Sequence, residues 1–299
     1  MILGMAGWFE LSASNKYTAI LFNLQERLAP NLACFSVVFN VGKVVGPPLG
    51  GWLVAWTIPG MALAIDASSY IFPMASVIWL LKPNRANELR SAGGRSGSLW
   101  SAWKECGSTL RHVFRFTALA CLVGFFHPGL SPYIASVVVG PSPQALGTFT
   151  SVLAAGSIAG GLALRGHSNS WPQRPGWLMG GCLLVTALAQ IGMAVGFGLW
   201  WSLAMTFLIG AGTACLLTGV NLISQIGAPM ELRGRMAALG QISFLGAGGI
   251  SGIVAAAMAG RLGLMATFGV LGIAGVSLAV LELGARRGIW LRSAGHPSG

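Results

Sequence analysis

Charge is what this 299-residue chain has least of: Asp, Glu, Lys and Arg together make up 8% of it, and only 7 residues are acidic. A soluble domain carries roughly a quarter of its residues as charges, so an ordinary water-facing surface is excluded. So few acids leave no paired carboxylates for acid–base work, and no nucleophile elbow or phosphate-binding loop occurs, so the chain does not read as an enzyme. The 5 cysteines, Cys34, Cys106, Cys121, Cys182 and Cys215, are odd in number and form no CxxC pair, which excludes a disulfide framework and a metal site of that type. Ten-residue alternation of apolar and polar residues, the mark of a membrane barrel, is also missing. What is present is apolar: hydrophobic residues are 54% of the chain, glycines number 44, and the mean hydropathy is +0.72.

A bilayer core of about 30 Å needs roughly 20 apolar residues per helix. The sequence predicts spans near 2–22, 33–56, 60–81, 116–139, 144–164, 176–196, 198–223, 236–259 and 263–284. If the loops between them alternate sides, one side receives Arg27, Lys82, Arg85, Arg90, Arg95, Lys104, Arg111, Arg115, Arg165, Arg174, Arg233, Arg235, Arg286, Arg287 and Arg292, and the other receives Arg261. Such asymmetry marks the first side as cytoplasmic, with the N-terminus outside and the C-terminus inside. The net charge of +11 therefore has an explanation in topology and no call for nucleic acid. Trp56, Trp200 and Trp201 fall at outer helix ends, and Trp79, Trp171, Trp177 and Trp290 at inner ones, as interfacial anchors do. No basic leader or cleavage motif precedes the first apolar stretch.

The organisation follows from one linker. Residues 82–115 hold Pro83, Gly93, Gly94, Gly97 and seven of the 18 Lys and Arg residues, and divide a three-helix portion, 1–81, from a six-helix bundle, 116–285, with a tail at 286–299. Leu99, Trp103, Leu110 and Phe114, set among cations, predict an amphipathic segment along the cytoplasmic interface. A weak repeat relates the first three segments to the last three: Asn15 falls on Asn221, Arg27 on Arg233, Gly42 on Gly248 and Gly46 on Gly252 at one offset.

The second segment reads Phe39-Asn40-Val41-Gly42-Lys43-Val44-Val45-Gly46-Pro47-Pro48-Leu49-Gly50-Gly51. Gly42, Gly46 and Gly50 are spaced four apart, a bare stripe that admits a second backbone. Pro47 removes the hydrogen bond to the carbonyl of Lys43, so the helix bends there. GxxxG alone speaks only for tight packing; the whole GxxxGPxxGG string is more specific. Gly156 and Gly160 in the fifth segment form a second stripe against which it would pack.

That string resembles the antiporter motif in the fifth helix of exporters of the major facilitator superfamily. Phe39-Asn40, Lys43 and Gly46-Pro47 are similar to the secretion-effector branch that includes siderophore exporters. So are the loop Glu231-Leu232-Arg233-Gly234-Arg235-Met236 and Asp66-Ala67-Ser68-Ser69-Tyr70. Lys16-Tyr17 resembles a pair found in lysophospholipid transporters. The resemblance implies an all-α polytopic membrane bundle of twelve helices, of which about nine have counterparts here, the first three and their Gly-Asp-Arg loop having none. The loop between the eighth and ninth helices keeps Arg165-Gly166-His167 and Arg174 but no acid.

Ionisable groups inside spans are expensive and mark functional candidates; here they are Glu10, Lys16, Lys43, Asp66 and His127. At 1.5 Å per residue Lys43 and Glu10 lie about 14 and 18 Å from the cytoplasmic ends of their helices, depths compatible with a pair. Asp66 lies about 22 Å deep, and Lys16 is shallow enough to snorkel. His127 precedes Pro128-Gly129, where a kink would either set the ring beside a water-filled cavity or leave it bonded to a neighbouring carbonyl. Glu282, four residues before Arg286, suggests a helix-end ion pair. Together with the resemblance, these residues imply a multi-pass transporter of the inner cell membrane, exporting a small amphipathic molecule in exchange for protons by alternating access, with no cofactor and no metal. Lysophospholipid flipping and a truncated, transport-inactive fragment are the alternatives.

Overall fold

The computed structural model describes residues 49–50, 53, 56–57, 59–72, 74–75, 99–165, 175–226 and 233–293, and no strand occurs among them. Ten α-helices follow in order: α1 (Pro59–Ser69), α2 (Leu99–Glu105), α3 (Ser108–Gly124), α4 (His127–Val138), α5 (Pro143–Arg165), α6 (Pro175–Val195), α7 (Leu199–Ile226), α8 (Arg233–Gln241), α9 (Ala247–Leu262) and α10 (Leu264–Ser293). A π-helical turn, Ile242–Gly246, joins α8 to α9. Six stretches among the described residues are long and apolar enough to cross a membrane: 108–138, 144–163, 176–195, 199–221, 238–262 and 264–284. They coincide with the last six expected spans to within a few residues, save at the start of the first.

That start is a correction. The expected amphipathic segment ends early: α2 is short, and the next helix begins at Ser108, eight residues before the expected boundary. Leu110, Val113 and Phe114 are buried in the bundle, and Ala102 and Cys106 beside them are equally buried. Burying these side chains against Met236 and Phe244 removes more apolar surface from water than lying at the headgroups would. Arg111 and Arg115 share one face of α3 at i, i+4, and the Arg115 guanidinium lies 5.6 Å from the Trp103 ring.

Two connections between spans are tight because glycine makes them so. α9 turns into α10 through Gly263 alone, at φ 85°, and α6 turns into α7 through 196–198, with Gly196 at φ 68° and Gly198 at φ 110°. Left-handed backbone of this kind costs an ordinary residue about 1 kcal/mol or more and glycine almost nothing. Within the bundle α6 lies along both α7 and α10, and α7 lies along α5. The core falls into two clusters, one around Phe114, Leu183, Val220 and Met236 and one around Phe126, Ile134, Met193 and Phe268. The boundary between them lies at Phe125 and Phe126, where the first span is interrupted.

Candidate functional site: a junction of two interrupted helices

A straight helix of the 31 residues 108–138 would measure about 46 Å, well over the bilayer core. It is not straight. Helix α3 stops at Gly124, Phe125 leaves the helical region at φ −119° and ψ 35°, and α4 restarts at His127 after Phe126, whose backbone is again helical. The cause is Pro128: its ring clashes with the carbonyl four residues earlier, and it has no N–H to donate there. The kink expected around His127-Pro128-Gly129 is thus present, displaced one turn back because the clash falls on residue i−4.

The fifth span carries its own irregularity, the π turn Ile242–Gly246, and the two interruptions meet. The rings of Phe125 and Phe244 are 4.4 Å apart at 51°, and the His127 ring stands edge-on to Phe125 at 5.0 Å and 83°. Phe125 also rests against Gly248: a Cβ there would come 3.2 Å from Phe125 Cε1. One turn on, a Cβ on Gly129 would sit 3.4 Å from the Cα of Gly252, so α4 and α9 cross nearly backbone to backbone. Glycine pairs of this kind let membrane helices approach closely. Behind the junction a small cavity is lined by Ala120, Cys121, Gly124, Phe125, Leu183, Thr186, Thr213, Leu216 and Phe244. Its two hydroxyls are already engaged within their own helices, Thr186 Oγ1 donating to the Cys182 carbonyl at 3.0 Å and Thr213 Oγ1 to the Ile209 carbonyl at 2.7 Å.

The sequence-predicted residues are placed as follows. His127 is 2% exposed, so its ring lies inside the bundle and faces no open water, and Ser131 Oγ donates to its carbonyl at 2.7 Å. Asp66, on α1, is exposed, and its carbonyl accepts a hydrogen bond from Ser69 Oγ at 2.7 Å. Glu10, Lys16, Lys43, Gly42, Gly46, Pro47 and Gly51 lie outside the described residues. Gly50 is described and has open space where a Cβ would stand. Arg233 opens α8, and Arg235, half-buried, follows it.

Gly156 and Gly160 do form a contact stripe, but α7 occupies it. A Cβ on Gly156 would lie 2.8 Å from the Phe207 carbonyl carbon, and one on Gly160 2.9 Å from that of Ala211. Gly210 of α7 returns the contact, 2.9 Å from the Leu153 carbonyl carbon. Two hydrogen bonds accompany this crossing, Ser157 Oγ to the Gly210 carbonyl at 3.3 Å and Cys215 Sγ to the Gly160 carbonyl at 3.0 Å. The face expected to meet the second segment is therefore already filled.

Glu282 also has a partner that the sequence did not suggest, while the side chain of Arg286, its expected partner, lies outside what the structure describes. Glu282 is 6% exposed and takes His112 of α3 as a partner, Nε2 lying 2.9 and 3.0 Å from its two carboxylate oxygens. The pair ties α10 to α3. Sequence reasoning missed this link across 170 residues, as it missed Gln190 and Ser251, whose side chains reach α3 at the break. Gln190 had a signal, being the only amide in the apolar span 176–195.

Among the described residues no group of three or more His, Cys, Asp or Glu could hold a metal ion. Residues 1–253 match the sequence profile of the Major Facilitator Superfamily. No curated protein matches the chain.

Proposed function

From the premise that this chain belongs to the major facilitator superfamily and is a multi-pass membrane transporter, we propose that it is a secondary active exporter of small amphipathic molecules, driven by proton exchange. The observation that carries the reading is the meeting of a broken span with a π turn at Phe125 and Phe244. A transporter that alternates access must bend or rock helices while keeping them packed, and broken helices at mid-membrane are where transporters commonly do so. π turns likewise concentrate at functional positions. Proton exchange and the export direction rest on the resemblance of Gly42 to Gly51 to the antiporter motif.

The test is transport into proteoliposomes. With an imposed pH gradient, uptake of an amphipathic fluorescent dye that collapses on adding a protonophore is the expected result. Gradient-independent movement of a labelled lysophospholipid, with no dye uptake, would replace export by lipid flipping, the activity to which Lys16-Tyr17 points. Movement of neither would overturn both readings.

A further inference from the structure

The break between α3 and α4 poses a question of hydrogen-bond accounting. Because Pro128 has no N–H, the carbonyl of Gly124 has no donor four residues ahead. Gln190 supplies one from α6, its Nε2 lying 3.2 Å from that oxygen. The carbonyl of Leu122, in the same last turn, accepts from Ser251 Oγ of α9 at 2.6 Å. Gln190 and Ser251 are each 1% exposed, and water is scarce at such a depth, so neither carbonyl has a cheap substitute. Most other buried hydroxyls here, including those of Thr117, Ser131, Thr206 and Ser224, bond only to a carbonyl of their own helix. Gln190 and Ser251 are different in kind because they reach across.

Their placement gives each a distinct mechanical role. Ser251 and Gly252 are consecutive on α9, the first bonded to α3 and the second in backbone contact with α4. Helix α9 thus touches both sides of the break, and α6 holds α3 alone. We propose that Gln190 and Ser251 are positioning residues that hold the α3–α4 break at its present angle, and that their release lets α4 swing about Phe125-Phe126 as the moving part of the transport cycle. The link to transport rests on the function proposed above; the hinge itself does not, and it is tested without any substrate.

The experiment is hydrogen exchange on the full chain in lipid nanodiscs, read on peptides covering 122–136. Gln190→Leu keeps the volume and removes the donor, and Ser251→Ala removes the hydroxyl with little loss of packing. Each is expected to speed exchange at the amides of 125–131 by about fivefold, the factor equivalent to one net hydrogen bond, with exchange in α5 and α7 unchanged. Gln190→Glu separates positioning from packing: a protonated carboxyl can donate to the Gly124 carbonyl, and an ionised one cannot. At acid pH the ratio of its local exchange to that of the wild type is expected near one, and it rises as the pH is raised.

The other titratable groups around the break are His127 on α4, Cys121 on α3 and Cys182 on α6; Arg261 of α9 and Glu282 of α10 stand about 15 Å or more along their helices. All are present in the wild type measured alongside, so their titration cancels in the ratio. Wild-type exchange at 125–131 in both Gln190→Leu and Ser251→Ala would overturn the proposal, as would a Gln190→Glu ratio still elevated at acid pH. If Gln190→Leu fails to fold, Ser251→Ala decides. A hinge that opens as expected in a protein that moves no dye would leave this inference standing and remove the exporter reading.

Discussion

Gly156 should be among the least replaceable residues of the bundle, and the structure says by how much. In Gly156→Ala the new methyl meets the main chain of Phe207, its carbonyl carbon at 2.8 Å and its Cα at 3.0 Å. A side chain could rotate away; a helical carbonyl cannot, so α5 and α7 must separate by several tenths of an ångström. That movement stretches the Ser157–Gly210 and Cys215–Gly160 hydrogen bonds, already at 3.3 and 3.0 Å. Overpacking of this sort costs about 1–3 kcal/mol, against a gain of up to about 1 kcal/mol from replacing glycine by alanine in a helix. With the full helix gain, the net is a loss of up to about 2 kcal/mol. Gly161, the next residue after Gly160, is the control: it has open space where the methyl would go, so Gly161→Ala keeps the helix gain without the clash. At roughly 2–4 °C per kcal/mol for a domain of this size, thermal unfolding in detergent should show Gly156→Ala a few degrees below the wild type and Gly161→Ala at or above it. Equal shifts of the same sign in the two variants would refute the argument, because backbone contact would then not distinguish them.

Three further outcomes are expected. His112→Ala leaves the nearly buried Glu282 carboxylate without its α3 partner, at a cost of about 1–3 kcal/mol; adding Glu282→Gln should recover part of it, and a double-mutant cycle measures the coupling. Burial pushes the Cys106 thiol above its ordinary pKa and the Arg111 charge only partly offsets this, so the reactive thiolate forms at higher pH than in an exposed cysteine. Maleimide labelling of Cys106 in the folded protein should therefore lag a surface thiol at pH 7 and gain on it as the pH rises, and Arg111→Gln should deepen the lag. Trp201 donates from Nε1 to the Gly192 carbonyl at 2.7 Å, linking α7 to α6; Trp201→Phe should lower the melting temperature by the equivalent of about 1 kcal/mol, and a neutral result would show that another donor reaches that carbonyl.

The helices and their boundaries were legible in the sequence because a bilayer imposes a length. Six of the expected spans recur in the structure with small shifts, and the one large shift, at Ser108, arose where a basic stretch hid Leu110, Val113 and Phe114, which tertiary packing buries. The kink near His127 was equally legible, since proline acts locally. Partners were not. Nothing in the spacing of Gly156 and Gly160 says which helix fills the stripe, and the choice of α7 follows from Gly210 standing opposite Leu153. The same holds for Glu282: the nearer cation in sequence was Arg286, whereas His112 approaches from 170 residues away.

By itself the sequence determined that this is a multi-pass membrane protein, where its last six spans lie and where one of them must bend, because hydrophobic length and proline geometry act over a few residues at a time. Only the tertiary structure decided that the bent span meets a π turn at Phe125 and Phe244, that Gln190 supplies the bond to Gly124 that Pro128 cannot, and that Ser251 bonds the Leu122 carbonyl beside it. A carbonyl released in one helix is satisfied by whatever side chain the fold brings beside it, and that depends on the packing of the whole bundle.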